Sequence, residues 1–144
     1  MTDAPSLFSL DGKTILITGG YGQIGRTMAK GALAAGARVA VIEPKVDDTL
    51  TSKAFGALAS HERLAAFAGD VTDKTSLERA SEAILARFGS IDGLVNNAAL
   101  DSPPNASAAD NGPFEDFPGA SWDRVMEVNV KGVFQCCQVF GKVM

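Results

Sequence analysis

At 144 residues, with 46% hydrophobic and 21% charged residues, the chain has the size and composition of one globular domain and enough length to bury a core. Its formal net charge of −4 argues against a nucleic-acid partner, and no apolar run approaches the roughly 18 residues of a membrane-spanning helix. The segment Met1 to Leu10 holds Asp3 and Pro5 with no basic flank before an apolar stretch, unlike a secretory signal, and the two cysteines, Cys136 and Cys137, are adjacent, a spacing unsuited to a disulfide or a metal pair. A cytoplasmic location is the corresponding expectation.

In chain order, Thr14 to Thr18 (TILIT) is a short β-branched run between Asp11-Gly12 and Gly19-Gly20, and predicts a buried strand. From Ile24 the period becomes helical, with Ile24, Met28, Ala32 and Ala35 expected on one face and Gly36 at the C-terminal end. Arg38 to Glu43 (RVAVIE) predicts a second strand. Asp47 and Asp48 suit the start of a helix running to about Ala59, and Leu64 to Ala68 predicts a third strand. Thr72 and Asp73 open a helix whose Leu77, Ala80, Ile84, Leu85 and Phe88 form an apolar stripe ended by Gly89; Gly93 to Asn96 predicts a fourth strand. Leu100 to Ala120, rich in Pro, Asn, Asp, Gly and Ala, reads as irregular and as a possible wall of a substrate site. Ser121 is expected to cap a last helix through Trp122, Val125, Met126, Val130 and Phe134 towards Met144. Strands alternating with helices of this length imply right-handed crossovers and a parallel sheet covered on both faces, an α/β fold.

The segment Thr18-Gly19-Gly20-Tyr21-Gly22-Gln23-Ile24-Gly25 lies between the first strand and the first helix. Glycines three apart, Gly19, Gly22 and Gly25, let the chain turn tightly and approach a pyrophosphate, whose charge the free N–H groups of a helix start stabilise. A glycine turn alone also suits any strand-to-helix connection. Here Glu43 ends the next strand eighteen residues beyond Gly25, where an acid would accept a hydrogen bond from a ribose 2′-hydroxyl. The combination points to a dinucleotide site.

Four landmarks in order make the chain resemble the short-chain dehydrogenase/reductase family, from about Leu7 to Met144. The glycine segment is similar to the family's TGxxxGxG, with Gln23 where the middle glycine usually stands, as in a TGxxGxxG variant. Asp70-Val71 matches the pair that in the family contacts adenine through the carboxylate and the next backbone amide. Asn96-Asn97-Ala98-Ala99 resembles NNAG, with Ala99 replacing the glycine, and Asn129-Val130-Lys131-Gly132 matches NVxG. The resemblance implies a Rossmann-type parallel sheet of strand order 3-2-1-4, and cofactor contacts from Gly19, Tyr21, Gly22, Gln23, Ile24, Gly25, Glu43, Asp70, Val71, Asn97, Ala98 and Ala99. It also implies a catalytic part for Asn129, as the helix-bending asparagine of a proton relay.

The family's Ser and Tyr-x-x-x-Lys have no counterpart here: the only tyrosine is Tyr21, with Gly25 four residues on, and Met144 falls where the family would enter its fifth strand. His61 is expected on a solvent-exposed loop. The reading is therefore one dinucleotide-binding domain over residues 1–144, apparently truncated, supplying the cofactor site of an oxidoreductase for an alcohol or carbonyl substrate, with no turnover of its own. The cofactor expected is NAD rather than NADP, because Glu43 would repel a 2′-phosphate and no Arg or Lys precedes Ile24 in the glycine loop. If the chain ends at Met144, strand four is left with an open edge and Val125, Val130, Phe134 and Val139 need a partner surface, so the expectation is a homo-oligomer or the visible part of a longer chain. Two alternatives are a non-catalytic dinucleotide-binding or regulatory module and a methyltransferase; the two asparagine motifs speak against the second.

Overall fold

The computed structural model describes residues 7–101 and 110–144. Four strands, β1 (Thr14–Thr18), β2 (Arg38–Glu43), β3 (Leu64–Ala68) and β4 (Gly93–Val95), form one parallel sheet of order β3-β2-β1-β4. The register places Leu16 beside Ala40 and Leu94, and Ala40 beside Ala65. Between the strands run helices α1 (Gln23–Ala34), α2 (Asp48–Phe55) and α3 (Lys74–Phe88). After β4 come α4 (Gly119–Met126), a π-helical segment (Glu127–Gly132) and α5 (Val133–Phe140).

Alternation along each strand feeds two cores. Leu16, Ala40 and Ile42 pack on one face with Leu77, Ile84 and Phe88 of α3 and with Cys136 and Phe140 of α5. Ile17, Val39 and Val41 pack on the other face with Ala29 and Leu33 of α1 and Phe55 of α2. Strands buried on both sides must be apolar at nearly every position, which is why TILIT and VAVI carry no polar alternation. Each fully buried Leu, Ile or Phe adds roughly 1.5–3 kcal/mol of burial free energy, so these two clusters hold the sheet rigid beneath the loops at its carboxyl end.

Several expectations need correction. On α1 the buried row is Gly25, Ala29 and Leu33, one residue on from the expected one; Ile24 is 64% and Met28 41% exposed. Both rows begin with steps of four, and over the first two turns the smaller side chains, Gly25 and Ala29, win because the helix lies close against the sheet. α2 stops at Phe55, and Gly56–Ser60 continues as 3₁₀-helix. The strand expected to Asn96 ends at Val95. The last helix starts at Gly119 behind Pro118; Ser121 lies inside it and donates its hydroxyl to the Asp110 carboxylate rather than capping. The π-helical segment adds a residue to the turn, so the row Trp122, Met126, Val130 and Phe134 faces outward while Gly132, Gln135, Cys136 and Val139 are buried. Val139 thus packs in the core and needs no outside partner. His61 is half-buried, its Nδ1 accepting from the Arg63 N–H at 3.1 Å. Cys136 is buried and Cys137 exposed, both reduced; burial pushes the Cys136 thiol up to about 12.

Among the described residues, no helix is long and apolar enough to cross a membrane. The second half of the Leu100–Ala120 stretch includes a 3₁₀ turn, Phe114–Asp116; residues 102–109, part of the expected substrate wall, lie outside the described residues, as do residues 1–6.

Candidate functional site

The carboxyl ends of all four strands open into one cleft of about 850 Å³. At its centre the chain leaves β1 through Gly19, which takes a left-handed conformation (φ +67°) closed to most other residues. Gly22 donates back to the Gly19 carbonyl at 3.2 Å and precedes α1 as its N-cap residue, with no side chain capping the helix. The start of α1 therefore presents bare N–H groups to the cleft through Gln23, Ile24 and Gly25, which line it together with Gly22. Gly25 permits the close approach: a Cβ there would collide with the Gly19 carbonyl and sit 2.8 Å from Asn97 Nδ2.

Asn97 ties β4 to this turn. Its Nδ2 donates to the carbonyls of Thr18 and Gly19, each at 3.0 Å, while the Asn97 and Ala98 N–H groups both donate to Thr18 Oγ1 at 3.1 and 3.0 Å. Thr18 ends β1 fully buried and serves as the crosspoint of two strand ends. Its hydroxyl is a site feature that strand propensity alone conceals, since threonine is an ordinary strand residue. Ala98 and Ala99 continue along the cleft wall.

Glu43 reaches the cleft from the end of β2, where its Oε1 accepts the Tyr21 N–H at 2.6 Å. Burial raises its pKa above the ordinary glutamate value, and the Tyr21 N–H pulls it partly back. Tyr21 itself does not line the cleft. Its ring packs edge-on against Phe55 at 6.1 Å and its hydroxyl pairs with Thr51 Oγ1 at 2.7 Å, so it braces the glycine loop against α2. Burial raises the phenol pKa as well.

Beyond β3, Asp70 forms a tight local turn: its Oδ1 accepts both the N–H and the hydroxyl of Thr72 at 2.8 Å, and its own N–H donates to Ser76 Oγ at 3.1 Å. Val71 is buried and also borders the cleft. Leu100, the first residue of the stretch expected as a possible substrate wall, also lines the cleft, as do Arg124 and Val128, which were not foreseen; the only signal for Val128 is its place directly before Asn129. Arg124 is the one basic residue among the described residues of the lining. Asn129 is set back from the cleft, with both amide atoms committed to Leu100: Oδ1 accepts its N–H at 2.7 Å and Nδ2 donates to its carbonyl at 2.9 Å. This clasp joins the π-helical segment to the chain leaving β4. Among the described residues no cluster of His, Cys, Asp or Glu is arranged to hold a metal.

Chemically, the cleft combines bare N–H groups for an anion, a carboxylate at the tip of β2 for a hydroxyl pair, and an apolar slot beside Asp70 for a flat ring. A family model described as short chain dehydrogenase matches residues 13–144. A D-threitol dehydrogenase of Mycolicibacterium smegmatis is 34% identical over all of this chain and 54% of its own length. The crystal structure of a 3-ketoacyl-(acyl-carrier-protein) reductase from Brucella melitensis complexed with NADH superposes with a TM-score of 0.75 at 32% identity, over 90% of this chain and 49% of that one. A gluconate 5-dehydrogenase from Burkholderia cenocepacia in complex with NADP and tartrate gives 0.74 at 31% identity, over 94% and 49%. The chain spans about half the length of these relatives.

Proposed function

The chain belongs to the short-chain dehydrogenase family, and from that premise we propose that residues 1–144 form a single dinucleotide-binding domain that holds NAD for the reversible oxidation of an alcohol to a carbonyl. The observation that carries the reading is the glycine cradle at the start of α1 with the Glu43 carboxylate beside it. Gly19, Gly22, Gln23, Ile24 and Gly25 would hold the pyrophosphate, Glu43 the adenosine ribose, Asp70 and Val71 the adenine, and Asn97, Ala98 and Ala99 the run of the cofactor along β4. The nicotinamide supplies the hydride chemistry when bound. Tyr21 acts through its backbone and its brace, and Asn129 positions the Leu100 segment rather than moving a proton with its own amide. The cytoplasm is the location proposed.

NAD is favoured over NADP because an ionised Glu43 accepts from a 2′-hydroxyl and repels a 2′-phosphate. Like charges in such a site cost on the order of one to several kcal/mol. Calorimetric titration should find NADH bound at least about ten-fold tighter than NADPH, and Glu43→Ala should narrow the gap. Tighter NADPH binding by the unaltered protein would overturn the cofactor reading. In a separate assay with cofactor and simple alcohols or ketones, the 144 residues alone are expected to show no turnover, for want of a Tyr-x-x-x-Lys to move the proton. The substrate class, a small alcohol or carbonyl compound, is taken from the family. Self-association is proposed through the exposed row Trp122, Val130 and Phe134.

A further inference from the structure

The turn at Asp70–Thr72 is held from two sides. The peptide plane between Val71 and Thr72 gives its N–H to Asp70 Oδ1 at 2.8 Å, and its carbonyl accepts from Gln135 Nε2 of α5 at 2.9 Å. Gln135 is 8% exposed, a polar side chain on the buried row of an otherwise apolar helix. Gly132, one turn earlier, lets the helix come this near: a Cβ there would lie 2.8 Å from Val71 Cγ2. With those bonds made, the turn keeps two groups unused among the described residues, the Val71 N–H and the second Asp70 oxygen. One donor and one acceptor side by side match the N1 acceptor and the 6-amino donor of adenine.

We propose that Gln135 is a positioning residue for base recognition: by holding the Val71 carbonyl it sets the peptide plane that orients the Asp70 carboxylate, and so makes the turn selective for adenine. The inference rests on the dinucleotide reading and extends it to a helix that does not itself line the cleft. The same plane carries the N–H that grips Asp70 Oδ1. Releasing its carbonyl lets the plane and the carboxylate turn together, and the donor–acceptor pair loses its alignment. A buried carbonyl left without a donor also drives the turn to rearrange.

The test uses the protein as its gene encodes it. Adenosine and inosine monophosphates share sugar and phosphate, but inosine reverses both groups on the edge in question, with a carbonyl at position 6 and N–H at N1. The unaltered protein should prefer the adenine compound, and Gln135→Leu should reduce that preference by about five-fold or more while leaving affinity for nicotinamide mononucleotide unchanged. Gln135→Glu provides a second reading if the Leu variant folds poorly. Ionised, it repels the Val71 carbonyl; protonated, it donates, so the preference should recover as pH falls. A preference unaltered in both variants, or equal losses for all three ligands, would overturn the role of Gln135. No adenine preference in the unaltered protein would instead overturn the adenine reading itself.

Discussion

At Gly19 and Gly25 the cleft wall is bare backbone, kept open because a Cβ at either would meet the neighbouring chain. Between Asp70 and Thr72 it is also backbone, but three of its groups are held by side chains: the Asp70 N–H by Ser76, the Thr72 N–H by Asp70 and, from 64 residues away, the Val71 carbonyl by Gln135. The first wall is specified by what is missing, the second by what is added from a distance. A wall made by absence fails when a Cβ is introduced at its closest point, Gly25, whereas one made by side-chain bonds loses function in steps.

The largest effect should come from filling the first wall. Gly25→Val puts a branched side chain against the Gly19 carbonyl and Asn97, and should destabilise the protein by roughly 3 kcal/mol, read as a lowered denaturation midpoint, and abolish detectable NADH binding. A variant that still bound NADH within a few-fold of the unaltered protein would show that the cradle can yield.

Next in size is the joint that ties the first wall to the end of β4. Thr18→Val keeps the shape but removes the oxygen that accepts two N–H groups, from Asn97 and Ala98. Leaving them without a partner should cost about 2 kcal/mol, measured by urea unfolding, and loosen the start of β4's exit loop. A cost no greater than that of an exposed substitution would mean that water replaces the hydroxyl.

The smallest effect is a pH dependence confined to the glycine side. Burial holds the Glu43 carboxyl above the ordinary 4.5. As pH falls through that raised value the carboxylate is neutralised and ceases to repel a 2′-phosphate, so the NADH preference should shrink by a few-fold as the solution is acidified from neutral towards that value. The same raised pKa adds stability that is fully present below the unfolded value and is lost as pH rises through the folded one. An NADH-to-NADPH affinity ratio flat across that range, or one that rises on acidification, would contradict the assignment to Glu43.

The two walls also differ in how far they could be read from residues alone. The glycine wall was legible because local chemistry writes it: a β-branched strand, glycines three apart, a helical period, and Glu43 one strand later. The same holds for α3, whose Asp73 cap and Gly89 stop bound a clear apolar stripe. The row that α1 buries was not legible, because two rows of equal period compete and the winner depends on how near the helix lies to the sheet. Gln135 was not legible either, since a glutamine on a helix points to solvent unless a carbonyl 64 residues upstream needs its amide. Asn97 and Asn129 were found through the resemblance, but their partners, Thr18 and Leu100, follow only from the geometry that brings strand ends together.

The π-helical segment from Glu127 to Gly132 has a consequence for how this stretch tolerates change. Each residue of an ordinary helix advances the side chains by about 100°, so the extra residue sets the phase between the half that carries Arg124 and Val128 beside the cleft and the half that carries Gln135 and Phe140 in the core. Exchanging one apolar residue for another leaves that phase alone. Removing or inserting a single residue between Glu127 and Gly132 would turn one half against the other, taking Asn129 from Leu100 and Gln135 from Val71 together. The constraint on this stretch therefore falls on the number of its residues as well as on Asn129 and Gly132, and related sequences should vary at positions such as Glu127, Val128 and Lys131 while keeping its length.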